Sequence, residues 1–292
     1  DQSMAKFTAS ALSRGLSMLN GTKESPFFST PAHVIQTTQG KLSYRTQGEG
    51  PILIFLHGLL GSSKAFRFQL EAFSEQYQVV AWDAPGYGQS DLIPALMPAY
   101  EQALADLIDA LGQPTVNIVG HSMGGSVASA YAAHHPERVA RLVLSCTHPG
   151  YGDPESAPMS EKFEQRMAEL QEIGAEAYGW NRARDLLPFP EVPEATLAYA
   201  AQVASETIPE GLRRATRMLQ LADNRALLPL LSMPVLVLTG EKDKVVQPHL
   251  KADLLRLTPF KEHIEMPGLA HAPYFQNPEY YNAQIRQFLA TY

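Results

Sequence analysis

The 292-residue chain has a single cysteine, Cys146. No intramolecular disulfide can brace the fold, a reducing compartment suits it, and we expect a cytoplasmic protein. Basic residues are in deficit, with 23 Lys and Arg against 30 Asp and Glu and a formal net charge of −7. That is the wrong sign for a surface that neutralises a phosphate backbone, so no nucleic-acid partner is expected. No stretch approaches the roughly 18 uninterrupted apolar residues of a membrane span, and the run from Leu16 to Leu19 is far too short. The histidines lack metal-ligand spacing such as HExxH, and no metal site is expected. Internal repeats and low-complexity tracts are also missing. What is present, 45% hydrophobic and 18% charged residues, is globular composition with enough apolar side chain for a large core.

Residues 1–30 form an N-terminal extension. Within it, Lys6, Arg14 and Lys23 occur without an acid, and Phe7, Leu12, Leu16 and Leu19 fall at roughly helical spacing. A short helix packed on the body is the leading expectation, against a disordered leader or a membrane-surface or targeting segment. From His33 onward, short β-rich runs alternate with longer helical stretches, the pattern of a largely parallel sheet with helices on its faces. His33–Thr38 and Leu42–Thr46, joined across Gln39-Gly40-Lys41, read as an edge hairpin. Runs at 52–56, 78–82, 115–119, 141–145 and 235–239 are nearly continuous in apolar residues, as expected for strands covered on both faces. Helices are expected at 64–74, 99–111, 123–134 and 278–290. Residues 148–224 break the rhythm, with helical stretches at 160–173, 193–205 and 210–221 and no comparable strand. They read as a helical cap inserted between two core portions, 31–147 and 225–292, and lying over the carboxyl ends of the strands where ligands bind.

Chemistry concentrates at Gly120-His121-Ser122-Met123-Gly124-Gly125, which follows an apolar strand and opens a helix, the context a GxSxG nucleophile turn requires. The turn is sterically tight, and flanking glycines let neighbouring backbone approach while the serine hydroxyl is exposed. A serine hydroxyl needs a base, and the base needs an orienting group. His271, in Gly268-Leu269-Ala270-His271, and Asp243, in Gly240-Glu241-Lys242-Asp243, each follow a strand-like run and complete the order Ser, Asp, His. Glu241 is the alternative acid. Backbone N–H donors for a developing oxyanion are assigned to Met123 and, from the loop His57-Gly58-Leu59-Leu60-Gly61, to Leu59, with Leu60 the neighbouring alternative. Around this centre, His57, Gly58, His121, His148, Trp180 and Met218 are candidate substrate-binding residues. Phe163, Met167 and Leu219 are further candidates for an apolar lining, and Arg182, Arg184, Arg213, Arg214 and Arg217 for partners of a substrate carboxylate.

With His57-Gly58, Asp83-Ala84-Pro85-Gly86-Tyr87-Gly88-Gln89-Ser90, the turn at 120–125, Gly240-Glu241-Lys242-Asp243 and Gly268-Leu269-Ala270-His271 in this order, the chain from about His33 to Tyr292 resembles the α/β-hydrolase superfamily. Within it, the chain looks most like bacterial carboxylesterases and the enol-lactonase and meta-cleavage-product (C–C bond) hydrolases, which share a helical cap. The resemblance implies an α/β-hydrolase fold, a mostly parallel eight-stranded sheet flanked by helices, and no cofactor. It also implies a serine hydrolase that cleaves a small-to-medium carboxylic ester through an acyl-enzyme, with a small-molecule ester as partner. Epoxide hydrolases and haloalkane dehalogenases carry Asp where this chain has Ser122. The C–C hydrolases commonly show Asn in place of His121 and a Trp shortly after the catalytic His, where Ala272-Pro273 stands here. These departures favour an ester. Hydrolysis of an enol-lactone or a C–C bond, and ligand sensing on the same fold, are the alternatives.

Overall fold

The computed structural model describes residues 32–188, 191–259 and 261–292. The reading of residues 1–30 lies outside the described residues. Eight strands, β1 (His33–Thr37), β2 (Gly40–Gln47), β3 (Ile52–Leu56), β4 (Gln78–Trp82), β5 (Val116–His121), β6 (Val139–Ser145), β7 (Val235–Gly240) and β8 (Lys261–Met266), form one sheet in the order β1-β2-β4-β3-β5-β6-β7-β8. β1 and β2 are an antiparallel hairpin, β2 pairs antiparallel with β4, and β3 to β8 run parallel.

The apolar runs follow from this layering. Alternate residues of one strand enter opposite cores. Ile52, Ile54, Leu56, Val80, Trp82, Ile118, Leu142 and Val237 pack on one side, and Leu53, Phe55, Val79, Ala81, Val119, Val143 and Leu236 on the other. The first side is covered by α2 (Met97–Leu111) and α3 (Met123–His134), the second by α1 (Arg67–Phe73) and α9 (Pro278–Thr291). Sequence reading extended α1 back to residue 64, where a 3-10 turn over Ser63–Phe66 stands instead.

Between β6 and β7 lie α4 (Glu161–Leu186), α5 (Glu194–Ser205) and α6 (Pro209–Leu221). The remaining described helices are α7 (Pro248–Leu257) and α8 (Pro273–Gln276). α6 sends Ala215, Met218 and Leu219 into the first core, whereas Leu197, Ala198 and Ala201 of α5 join Trp180 and Ala183 of α4 in the second. The inserted helices thus share both cores of the sheet. Among the described residues no helix is long and apolar enough to cross a membrane.

α4 is not straight. Gly174 has φ 83° and ψ 166°, and Glu169 pairs with Arg182, 13 residues on, at 2.9 Å. In an unbroken helix these two would stand roughly 20 Å apart along the axis. The helix therefore folds back at Gly174 into two antiparallel arms, and Arg166 meets Asp185 across them at 3.4 Å. Only glycine adopts such backbone angles without strain, and a Cβ there would meet no atom within 4 Å. Gly174→Ala should therefore cost about 1–3 kcal/mol from backbone strain alone. Scanning calorimetry should show the melting temperature lowered by a few degrees; an unchanged value would mean that the arms do not depend on this bend.

Candidate active site

Ser122 sits at the junction of β5 and α3 with φ 51° and ψ −117°. A non-glycine residue held there costs about 1–3 kcal/mol and persists only where surrounding bonds over-determine it. Here they do. The Ser122 N–H donates to the Ser145 carbonyl at 2.9 Å, while the Ser122 carbonyl accepts from Thr147 Oγ1 at 2.5 Å and from the Gly125 N–H at 2.9 Å. Glycine is required at 124 because a Cβ there would collide with the Leu56 carbonyl, so α3 starts against β3 only without a side chain.

The loops after β7 and β8 bring Asp243 and His271 to the same edge. Asp243 Oδ2 lies 2.9 Å from His271 Nδ1, and His271 Nε2 lies 3.2 Å from Ser122 Oγ. All three side chains are buried or nearly so. Burial alone would raise the Asp243 carboxyl, but hydrogen bonds from His271 and from the Val245 and Val246 N–H groups outweigh it and hold the group below its ordinary value. A carboxylate so placed fixes the proton on Nδ1 and leaves Nε2 free to accept from the serine. The alternative acid, Glu241, is turned away: it is exposed, and its Oε1 accepts from the Gly268 N–H at 3.1 Å. Cys146, also at positive φ, lies behind this row, and burial followed by the nearby Asp243 carboxylate pushes its thiol well above the ordinary value. Cys146, Asp243 and His271 offer ligand atoms within 4.8 Å of one another, but Asp243 Oδ2 and His271 Nδ1 are already bonded to each other.

The loop after β3 closes over the serine. An added Cβ on Gly58 would lie 3.1 Å from Ser122 Cβ, so the backbone passes directly beside the hydroxyl. The Leu59 carbonyl accepts from the Tyr87 hydroxyl at 2.7 Å, which fixes that peptide. Met123 opens α3 directly after Ser122, and Leu59 lines the same cavity as Ser122.

Of the residues read as substrate-binding, Gly58, His121 and His148 line a cavity of ≈ 430 Å³ that reaches Ser122 and His271. His57, Trp180 and Met218 do not line it, and these three expectations are corrected. His57 is fully buried and uses both ring nitrogens on backbone, Nδ1 to the Gly58 carbonyl at 2.7 Å and Nε2 accepting the Ala84 N–H at 3.0 Å. It ties the β3 loop to the β4 loop. Trp180 is enclosed with α5 and Met218 with α3 and the sheet. The Asp83–Ser90 motif is structural as well: Asp83 accepts from the Ser63 N–H at 2.8 Å and from the Ser43 hydroxyl at 2.6 Å.

Of the three further apolar candidates, Phe163 and Leu219 line the cavity and Met167 does not, and none of the five candidate arginines does. Arg182 is held by Glu169 and Asp185, Arg184 bonds Asn181, Arg214 bonds Glu210, Arg217 bonds backbone carbonyls, and Arg213 is exposed. Sequence reading missed Lys162, Arg166 and Tyr178 on α4 and Tyr274 on α8, which also line the cavity. The four-residue spacing of Lys162 and Arg166 around Phe163 was the available signal.

Three buried histidines surround the site. Burial lowers His57, His121 and His148, the last to about 4, with the proximity of His271 adding to the effect on His121 and His148. Each takes up its proton more readily unfolded, near the ordinary 6.5, than folded. As pH falls through 6.5 the unfolded chain gains protons that the native one refuses, and stability declines toward the folded value. For His148 alone the loss between pH 7 and pH 5 should be about 2 kcal/mol. Urea unfolding at the two pH values measures it, and His148→Asn, which can still accept the Gly150 N–H now bonded to His148 Nδ1 at 3.0 Å, should shrink the difference.

Fold and site together define a class: an open α/β sheet, covered on both faces, whose carboxyl edge carries a hydrogen-bonded Ser, His and carboxylate row beneath inserted helices. Residues 51–278 match the family model of the alpha/beta hydrolase fold, and the chain belongs to that family. It is 28% identical over 253 residues to a pimeloyl-(acyl-carrier protein) methyl ester esterase of Chromobacterium violaceum, covering 86% of this chain and 98% of that one. It is 27% identical to a 2-(acetamidomethylene)succinate hydrolase of Mesorhizobium japonicum, over 85% of this chain and 91% of the relative. Among solved structures, a thermophilic esterase from Thermogutta terrifontis, malate bound, superposes with a TM-score of 0.75 at 27% identity, covering 90% and 99% of the two chains. An enol-lactonase from Burkholderia xenovorans gives 0.78 at 22% identity over 88% and 100%, a likeness of fold.

Proposed function

We propose that this chain is a serine hydrolase that cleaves a small-to-medium carboxylic ester through an acyl-enzyme. The observation that carries the reading is the row from Asp243 through His271 to Ser122, at 2.9 and 3.2 Å, opening on a cavity of ≈ 430 Å³. Ser122 Oγ attacks the ester carbonyl carbon as His271 Nε2 takes its proton, and the carbonyl oxygen, now negative, receives the N–H groups of Leu59 and Met123. His271 returns the proton to the departing alcohol oxygen, leaving the acyl group on Ser122. Water, deprotonated by His271, then releases the acid. Asp243 orients His271 and stabilises its charged form, while residues 148–224 act as the lid that shapes the acyl site. A cytoplasmic location belongs to the same reading, supported by a single, buried cysteine.

A series of p-nitrophenyl esters from acetate to palmitate tests the proposal. Turnover should peak at short to medium acyl length, and the position of the peak sizes the cavity. Absence of turnover with every ester would overturn the reading.

A further inference from the structure

The cap side of the cavity carries charge that ester hydrolysis alone leaves unused. Lys162 and Arg166 stand four residues apart on the first arm of α4, and both line the cavity. The acids on this side of α4 are shared with Arg182. Asp185 lies 3.1 Å from Arg182 and only 3.4 Å from Arg166, while Glu169 accepts from Arg182 at 2.9 Å and from Asn181 at 2.7 Å. Lys162 has no hydrogen bond or ion pair among the described residues. On the cavity wall, Lys162 and Arg166 stand with two acids, Asp185 and Asp153. Asp153, the other acid on the cavity wall, raises Tyr151 and is not among the charges acting on Lys162 or Arg166.

Where they line the cavity, Lys162 is solvent-exposed and Arg166 half-buried. Partial burial and then the adjacent Arg166 lower Lys162, and burial and then Arg182 lower Arg166, in both cases against the opposing pull of Asp185. An anion between them would relieve that repulsion and replace lost hydration. The buried Tyr178, whose ring lies 5.0 Å beneath the Arg182 guanidinium, adds a hydroxyl to the same wall. A guanidinium fork beside a mobile ammonium suits a planar carboxylate or a phosphate, by two parallel bonds and a point charge.

We infer that the cavity takes an ester whose acyl chain ends in an anionic group, a carboxylate or a phosphate, which Lys162 and Arg166 hold while the ester carbonyl lies at Ser122. This inference rests on the ester-hydrolase reading and narrows it to a substrate class.

The test compares p-nitrophenyl esters of ω-carboxy acids with their uncharged ω-carboxamide counterparts of equal length, and with ω-phosphono acids as a third arm. The unaltered protein should favour a charged ester by about tenfold or more in kcat/KM, chiefly through KM, and the preference should fall as salt rises. Whichever charged arm is preferred identifies the anion. Lys162→Met and Arg166→Met should each reduce the charged-to-neutral ratio, and the double variant should bring it close to one. Arg213→Met, exposed and outside the cavity, should keep it. Competitive inhibition of the unaltered protein by adipate but not adipamide gives the same answer without any substitution.

Equal use of charged and uncharged esters by the unaltered protein, or a ratio that survives in a folded double variant, would overturn the inference. The ester-hydrolase reading would stand in that case, because the uncharged esters are still turned over. Turnover of none of them overturns both.

Discussion

Replacing Ser122 by Ala should lower kcat on the best p-nitrophenyl ester by roughly a million-fold, with the fold unchanged. The expected size reflects what remains. His271 keeps its bond to Asp243, and the Leu59 and Met123 N–H groups stay where they are, so only the attacking atom is lost. The backbone at 122 is fixed by Ser145, Thr147 and Gly125 through main-chain groups that alanine retains, and circular dichroism and the melting temperature should match the parent. A residual rate above the uncatalysed one is expected from binding and the oxyanion donors. Loss of less than about a hundredfold would mean that another group attacks the ester and that the row at 122, 243 and 271 is not the machinery.

Asp243→Asn should cost about ten-thousand-fold while changing KM little. The carboxylate accepts from His271 Nδ1 and from the Val245 and Val246 N–H groups, so every bond it makes is one it accepts. An amide oxygen can satisfy the backbone donors, which leaves the amide NH₂ facing the imidazole. His271 then accepts at Nδ1, carries its proton on Nε2, and can no longer take one from Ser122. Glu241→Gln provides the contrast: among the described residues that exposed side chain bonds only the Gly268 N–H, and its loss should change kcat/KM by less than about threefold. A large effect at 241 with a small one at 243 would reassign the acid.

The sheet and the row at its edge were legible because each rests on local pattern. Continuous apolar runs mark strands covered on both sides, and the Gly120-to-Gly125 string announces a turn that few other sequences can make. Asp243 could be proposed because it lies in the loop after the apolar run of β7, and His271 because it lies in the loop after β8, whose sequence Lys-Glu-His-Ile-Glu-Met is mostly polar. The cap was harder. Its helices were read at 160–173, 193–205 and 210–221, but the second arm of α4 was missed, since a glycine in a charged helix looks like a stop and the pairing of Glu169 with Arg182 leaves no local trace. That same pairing made Arg182 a poor candidate for substrate and left Lys162 and Arg166 facing the cavity. His57 shows the opposite error. A histidine next to a Gly-rich loop reads as a ligand contact, but the neighbouring Gly58 carbonyl and the distant Ala84 N–H consume both ring nitrogens. α7 and α8 escaped because they are short and their apolar periodicity is brief.

The order β5-β6-β7-β8 has a consequence for a chain made from its amino terminus. The strands that shape the serine turn, β3, β5 and β6, are complete by Ser145, yet Asp243 follows Ser122 by 121 residues and His271 follows Asp243 by a further 28. Translation at about 5–20 residues per second separates the turn from its base by many seconds. Throughout that interval a nascent chain with its serine turn formed has nothing to remove the hydroxyl proton. The last two strands dock in succession, β7 on β6 and β8 on β7, so the carboxylate arrives before the imidazole. Under the proposed mechanism, ester hydrolysis begins only once the final strand is in place.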